Sequence, residues 1–368
     1  MPYDVDFKPK GVPPLATSES FVNTECPKCK KPAKREVDTM DTFVDSSWYF
    51  LRYLSNKLKD KPWDNNLAEN WLPVDQYIGG VDHATMHLLY ARFFIKALKD
   101  MGHVSFGEPF KNLVHQGVIM GPDGQRMSKS RGNVINPEEL LEQYGGDVLR
   151  TYLMFGFDFR LGGPWDDSGI AAIDRFFNRV YRLIEDNKAI ISEEKNKDRV
   201  NEAEQNLIRV MHNSIKGATK DTEDFNFNTA ISRIMELVNE LYRYTGEIDK
   251  NTQNTKFLKS VFKNLITLLA PYAPHLAEEL WERIGEEPSI FKQKWPEFDP
   301  EALKKEEITW VIQLNGKIRE KQVGKINMNR EEAEQFALNC GRIPELIEGK
   351  QIKKVIVVPK KLINIVAV

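Results

Sequence analysis

The chain has 368 residues, 41% hydrophobic and 29% charged, with a formal net charge of −2. That balance fits a globular protein of two or three domains, and it excludes attraction to nucleic acid by bulk charge, so any RNA contact must come from local basic patches or shape. The start of the chain has no apolar signal segment, no apolar run reaches the ~18 residues of a membrane span, and three cysteines make no disulfide framework. A reducing cytoplasm is the expected compartment, with no membrane partner.

In chain order, residues 1–25 are rich in Pro, Ser and Thr and read as an irregular lead-in, as if the chain began inside something larger. Cys26-Pro27-Lys28-Cys29 has metal-knuckle spacing, yet tetrahedral zinc needs four ligands and no second such pair or nearby His completes them. Thr39–Val44 reads as a strand, and Ser46–Leu58 as a helix with Trp48, Leu51, Leu54 and Leu58 on one side. Val74–Gly80 is a strand ending at a glycine pair. His87–Leu98 is an amphipathic helix closed near Gly102. Leu113–Met120 is a second β-rich run, followed by the turn Pro122-Asp123-Gly124. Strand, helix and strand in that order predict a βαβ unit and a parallel sheet.

Beyond Gly146 the pattern becomes helical. Asp174–Ile191, Val200–Thr219, Asn228–Ile248 and Lys256–Ile284 each carry apolar residues near a 3.6 period, and Pro271 and Pro274 predict a kink in the last. Four such helices suggest a bundle. From Ile308 short β runs return: Ile308–Leu314 and Ile318–Val323 around the hairpin dipeptide Asn315-Gly316. The helix Arg330–Leu338 follows, then Val355–Val358 and Leu362–Val368. This is a small α+β domain carrying Lys317, Arg319, Lys321, Lys325, Lys350, Lys353, Lys354, Lys360 and Lys361. Such a cluster is either a solvated surface or a seat for a phosphate backbone.

Two segments carry chemistry. Arg126-Met127-Ser128-Lys129-Ser130-Arg131-Gly132-Asn133 lies between a β run and a helix opened by Asn136 and Pro137. A loop of cations and hydroxyls there can close on a polyphosphate as charge develops. Gly79-Gly80-Val81-Asp82-His83-Ala84-Thr85-Met86-His87 places a glycine pair, where backbone can approach a ligand, before a helix. Asp82 can accept hydrogen bonds from ribose hydroxyls. A zinc-hydrolase reading of His83 and His87 fails because position 84 is Ala where a Glu is required. Two structural histidines are the plainer alternative.

The first segment resembles the Lys-Met-Ser-Lys-Ser loop of class I aminoacyl-tRNA synthetases, with Arg126 in place of the first lysine. The second is similar to the leucyl-tRNA synthetase pattern Gly-Gly-x-Glu-His-Ala-x-x-His-Leu-Leu-Tyr, with Asp82 in place of Glu. Isoleucyl and valyl relatives carry a different run there. Asp41–Phe50 resembles the re-entry into the catalytic domain after an editing insertion. Asp147–Arg150 resembles the junction with the helical domain, Pro271–Trp281 a helix of the anticodon-binding bundle, and Val311–Arg319 the start of a C-terminal domain that reaches the tRNA elbow.

The resemblance implies an α/β and α architecture: the second half of a Rossmann-type catalytic domain, a helical anticodon-binding bundle and a small α+β domain. The expected divisions are 1–45 (lead-in and knuckle), 46–150 (catalytic), 151–300 (bundle) and 301–368 (tRNA-binding). It implies ATP and Mg2+, leucine and tRNA(Leu). Lys129 and Arg126 face pyrophosphate. Gly79, Gly80, Asp82, His83 and His87 lie around the ribose, Gly117 and Val118 at the adenine, and Met127, Ser128 and Ser130 in the loop. Lys317, Arg319, Lys353 and Lys354 face tRNA, and Cys26 and Cys29 are the candidate zinc ligands. The short turn before Arg126 leaves no room for a leucine-specific insertion. No His-x-Gly-His-type tetrad occurs, so the first half of the active site, with the editing domain, is expected upstream or on a partner subunit. The alternatives are a non-catalytic tRNA-binding or assembly module, and an isoleucyl or valyl fragment.

Overall fold

A computed structural model describes residues 2–8, 11–192, 201–248, 254–303 and 307–368. It divides into two compact units, Met1–Ile135 with Asp158–Trp165, and Asn136–Phe157 with Asp166–Val368. No helix among the described residues is long and apolar enough to cross a membrane.

The first unit contains the expected βαβ. Strand Val74–Gly80 pairs in parallel with strand Phe110–Gln116, Gly79 opposite His115 and Gly80 opposite Gln116. The connecting helix His87–Asp100 buries Leu88, Ala91, Ile95 and Leu98, a spacing that keeps one stripe inward. It closes at Gly102, whose φ of +79° is cheap only for glycine, with the His103 N–H donating to the Leu98 carbonyl. Ala91, Ile95 and Leu98 pack with Phe50, Leu51, Trp63, Ala68 and Val104 in the core of this unit.

Several expectations need correction. Thr39–Val44 is not a strand: Asp41 caps a short helix, Thr42–Ser46, by accepting from the Phe43 N–H. The helical reading of Ser46–Leu58 shrinks to Tyr49–Tyr53, followed by turns. Leu113–Met120 is two strands rather than one, because the chain breaks at Gly117. Val118–Met120 then pairs in parallel with Gly162–Pro164. A Cβ on Gly117 would sit 2.0 Å from the Gly162 nitrogen, so only glycine permits this approach. Within the lead-in, Pro14–Thr17 and Glu19–Val22 form short helical turns.

The second unit is dominated by helices Asp167–Ile191, Glu202–Glu223, Phe227–Glu247, Thr255–Leu269 and Pro274–Arg283. The first begins earlier than its apolar pattern suggested because Asp166 supplies the cap. The second begins at Glu202; its expected first residue, Val200, lies outside the described residues. The kink expected at Pro271 and Pro274 is a full break, since Pro274 starts a new helix. That helix has no side-chain cap from its own N-cap residue Ala273. Asp147 fills the role across 129 residues, its carboxylate accepting from the Leu276 N–H at 2.8 Å and lying 2.8 Å from His275 Nδ1.

The last 62 described residues form a four-stranded sheet in the order Lys317–Lys325, Glu307–Leu314, Leu362–Ala367, Ile352–Val358. The central pair is parallel and the outer pairs antiparallel. The Asn315-Gly316 turn joins the first two strands as expected. Helix Arg330–Leu338 lays Ala333 and Ala337 on Trp310, Ile312, Ile363 and Ile365.

Candidate functional site

The C-terminal ends of the two parallel strands open into a cavity of about 430 Å³ lined by Phe43, Ser46, Tyr49, Tyr77, Gly79, Gly80, His83, His87, Leu88, His115 and Gln116, among others. Ligands of parallel α/β sheets bind at this end of the strands. A Cβ at Gly79 would meet nothing within 4 Å, and at Gly80 the nearest atom is the His83 ring at 3.9 Å. The space above the glycine pair is therefore open for a ligand.

A hydrogen-bonded chain runs among the lining residues of the cavity. Tyr49 Oη lies 2.9 Å from Tyr77 Oη, which lies 2.7 Å from His87 Nε2, and Ser46 Oγ lies 3.4 Å from His87 Nδ1. Burial first, and then the charge of His83, lower the His87 pKa from 6.5. Burial likewise raises the Tyr77 phenol above its usual range. At neutral pH both groups are uncharged, so the wall offers neutral donors and acceptors rather than fixed charge. Tyr77 also stacks on Phe110 at 3.7 Å between ring centroids, which fixes its plane. His115, also on the cavity wall, has a buried Nδ1 with no hydrogen-bond partner.

The loop from Arg126 to Asn133 owes its shape to Asn133. Asn133 Oδ1 accepts from the Ser128 N–H at 2.8 Å, and its Nδ2 donates to Asp123 at 3.1 Å and to the Arg126 carbonyl at 3.3 Å. Asp123 in turn accepts from the Gln125 N–H, and this backbone bond, with Asn133, holds its carboxyl below the ordinary range. The Ser128 and Ser130 hydroxyls lie 2.8 Å apart. Lys129 begins a short helical turn and is exposed. Arg126 reaches back 44 residues and pairs with Asp82, Nη2 to Oδ2 at 2.9 Å. The loop and the glycine-pair segment thus meet in one site.

Of the expected site residues, Gly79, Gly80, His83 and His87 line the cavity, and Asp82 and Arg126 meet beside it. The Gly117 N–H is given to the Phe159 carbonyl, and Val118 pairs with Gly162. Cys26 and Cys29 sit at the turn between strands Asn23–Glu25 and Pro32–Lys34, where the backbone N–H groups of Cys29 and Lys28 lower the Cys26 thiol pKa. Among the described residues, no group of three or more His, Cys, Asp or Glu could hold a metal ion. Lys317, Arg319, Lys353 and Lys354 are all exposed on the C-terminal sheet. Tyr49, Tyr77 and Asn133 were not among the expected site residues.

Apolar groups around the two-stranded parallel sheet lie exposed. Leu89 is 57% exposed, Phe93 72%, Ile78 46% and Leu113 44%.

Residues 16–159 match the family model for tRNA synthetases class I (I, L, M and V), and residues 204–335 match that for the anticodon-binding domain of tRNA ligase. The fold is that of the catalytic and anticodon-binding regions of class I aminoacyl-tRNA synthetases. The leucine–tRNA ligase of Caldanaerobacter subterraneus subsp. tengcongensis is 53% identical over 369 aligned residues, taking in 100% of this chain and 45% of that protein. That of Clostridium kluyveri is 51% identical, with the same coverage. The crystal structure of the ternary complex of Agrobacterium radiobacter K84 agnB2 LeuRS-tRNA-LeuAMS superposes with a TM-score of 0.79 at 35% identity, covering 96% of this chain and 46% of that one. The chain belongs to the leucyl-tRNA synthetase family and spans a little under half the length of these relatives.

Proposed function

We propose that this chain supplies the signature-loop half of a leucine-activating site, together with the tRNA-contacting domains, of a leucyl-tRNA synthetase. The observation that carries this reading is the meeting of the Arg126–Asn133 loop with the glycine-pair segment at the open end of a parallel sheet. Matches to leucine–tRNA ligases across the full chain favour it over a pure binding module and over isoleucyl or valyl relatives.

In the complete enzyme the leucine carboxylate attacks the α-phosphorus of ATP, and the bond to pyrophosphate breaks as leucyl-adenylate forms. A hydroxyl of the terminal adenosine of tRNA(Leu) then attacks the acyl carbon, and AMP leaves. Neither step needs a covalent enzyme intermediate, so positioning and charge stabilisation do the work. Lys129 and Arg126 meet the charge on the departing pyrophosphate, with Met127, Ser128 and Ser130 shaping the loop. Gly79, Gly80 and Asp82 seat the ribose, and the chain at Gly117–Val118 runs along the adenine, with the Gly117 N–H already engaged. The cavity that Gly79 and Gly80 help to line is also walled by aromatic and apolar groups around neutral His87 and Tyr77, which suit a short branched aliphatic side chain. Mg2+, where bound, would be held by the phosphates of the nucleotide and would neutralise part of their charge.

The first half of the nucleotide fold, with its His-x-Gly-His-type motif, is the partner of this site, on the same polypeptide or on another. The exposed apolar groups around the half-sheet are the surface it would cover. Lys317, Arg319, Lys353 and Lys354 would face the tRNA backbone, giving salt-dependent binding.

Lys129→Ala, made in the reassembled enzyme, tests the catalytic assignment. Loss of one charge-stabilising donor is expected to slow leucine-dependent pyrophosphate exchange by about a hundredfold, with tRNA binding kept. Unchanged exchange removes Lys129 from its role.

A further inference from the structure

The geometry points to a second role for Asp82, resting on the reading above: between turnovers it holds Arg126, and the ribose of incoming ATP takes its place. Asp82 and Arg126 are assigned to opposite ends of the same nucleotide, ribose and pyrophosphate. Yet they are bound to each other at 2.9 Å. While Arg126 stays on the carboxylate that seats the ribose, it cannot also reach the phosphates at the other end of the nucleotide, so the two arrangements compete. Their exchange delivers the guanidinium to the phosphates when the ribose has been seated.

Three features suit the pair to exchange. Both side chains are more than half exposed, at 63% and 58%, so a ligand can reach them and solvent keeps the contact weak. The contact uses one Nη and one Oδ rather than a bidentate fork, which is easier to displace. Asn133 tethers the loop through Asp123, Ser128 and the Arg126 carbonyl, and the Arg126–Asp82 contact adds one more tether. Releasing the guanidinium therefore loosens the loop without dismantling it. The lengths also match. Where the family pattern has Glu and Lys, this chain has a carboxylate one methylene shorter and a longer cation, so the reach between the two segments is kept.

The test is a double-mutant cycle on the complete chain, read by trypsin cutting after Lys129 and Arg131. Asp82→Asn and Arg126→Gln are each expected to raise the cutting rate two- to fivefold, the range an exposed ion pair allows, with unchanged melting transitions. The double variant should cut no faster than either single one. Asp82→Glu with Arg126→Lys should restore the slow rate. Additive effects, or no effect, overturn the pairing. In the reassembled enzyme, Asp82→Glu with Arg126→Lys should recover the ATP KM that either single change raises, and failure to do so overturns the link to the nucleotide. Leucine-dependent exchange by the unaltered mixture is scored separately. If it is absent, the synthetase reading and the nucleotide half of this proposal fall together, whereas the trypsin cycle decides the pairing by itself.

Discussion

In the helical bundle, Val261, Phe262, Leu265, Ile266, Leu268 and Leu269 are completely buried, whereas in the βαβ region the helix His87–Asp100 leaves Leu89 and Phe93 mostly exposed on its outer side. Both helices are amphipathic, but the bundle helix is covered by neighbours from the same unit, while the βαβ helix and its strands keep an apolar face with no cover among the described residues. A layer buried by its own neighbours is stable by itself. A sheet of two parallel strands with exposed edges and apolar flanks is built to receive more sheet. The contrast separates residues whose loss should unfold this chain from residues whose loss should disturb only its completion.

The largest effect is expected inside the bundle. Leu265→Ala should cost about 2–5 kcal/mol in a urea melt of the second unit's helical signal, the range for a buried leucine. A cost below about 1 kcal/mol would show that the bundle is looser than its burial implies. Next comes the distant cap. Asp147→Ala leaves the Leu276 N–H without its acceptor and should cost about 0.5–2 kcal/mol, the value of an N-cap. Asp147→Asn, which keeps an acceptor, should cost less.

The pH dependence follows from His87. Its folded pKa is lowered by burial, so on acidification the unfolded chain takes up the proton first. The first unit should therefore lose stability as pH falls below about 6.5, and the loss should level off below the folded pKa. His87→Gln should flatten this slope when melts at pH 7.5 and 5.5 are compared, while leaving any slope due to His212, which is lowered by its own burial. The smallest effect is expected on the uncovered face. Phe93→Ser should change the stability of the isolated chain by no more than about 0.5 kcal/mol, yet it should weaken pull-down of the proposed partner, a polypeptide carrying the first half of the nucleotide fold. A large loss of stability there would mean that the face is not waiting for a partner.

The parts legible in the sequence were local ones. The loop at Arg126–Asn133 and the glycine-pair segment are consecutive residues with a chemistry of their own. The Asn315-Gly316 hairpin and the helix Arg330–Leu338 announced themselves by turn and period. What escaped depends on contacts between distant residues. Tyr49 and Tyr77 are 28 residues apart and meet only once the strand and short helix are placed. Asp147 caps a helix 129 residues away. Thr39–Val44 carries a local signal against a strand: Asp41 is a good N-cap, and its bond to the Phe43 N–H outweighs the β-forming Thr, Phe and Val that follow.

The central claim is that this chain holds one half of a leucine-activating site. Leucine-dependent ATP–pyrophosphate exchange, measured for the chain alone and then mixed with a polypeptide carrying the first half of the nucleotide fold, tests it most directly. The account predicts no exchange from the chain alone and leucine-specific exchange from the mixture. A mixture that forms a complex yet exchanges nothing, while the chain still binds tRNA, would contradict it and leave a tRNA-binding module.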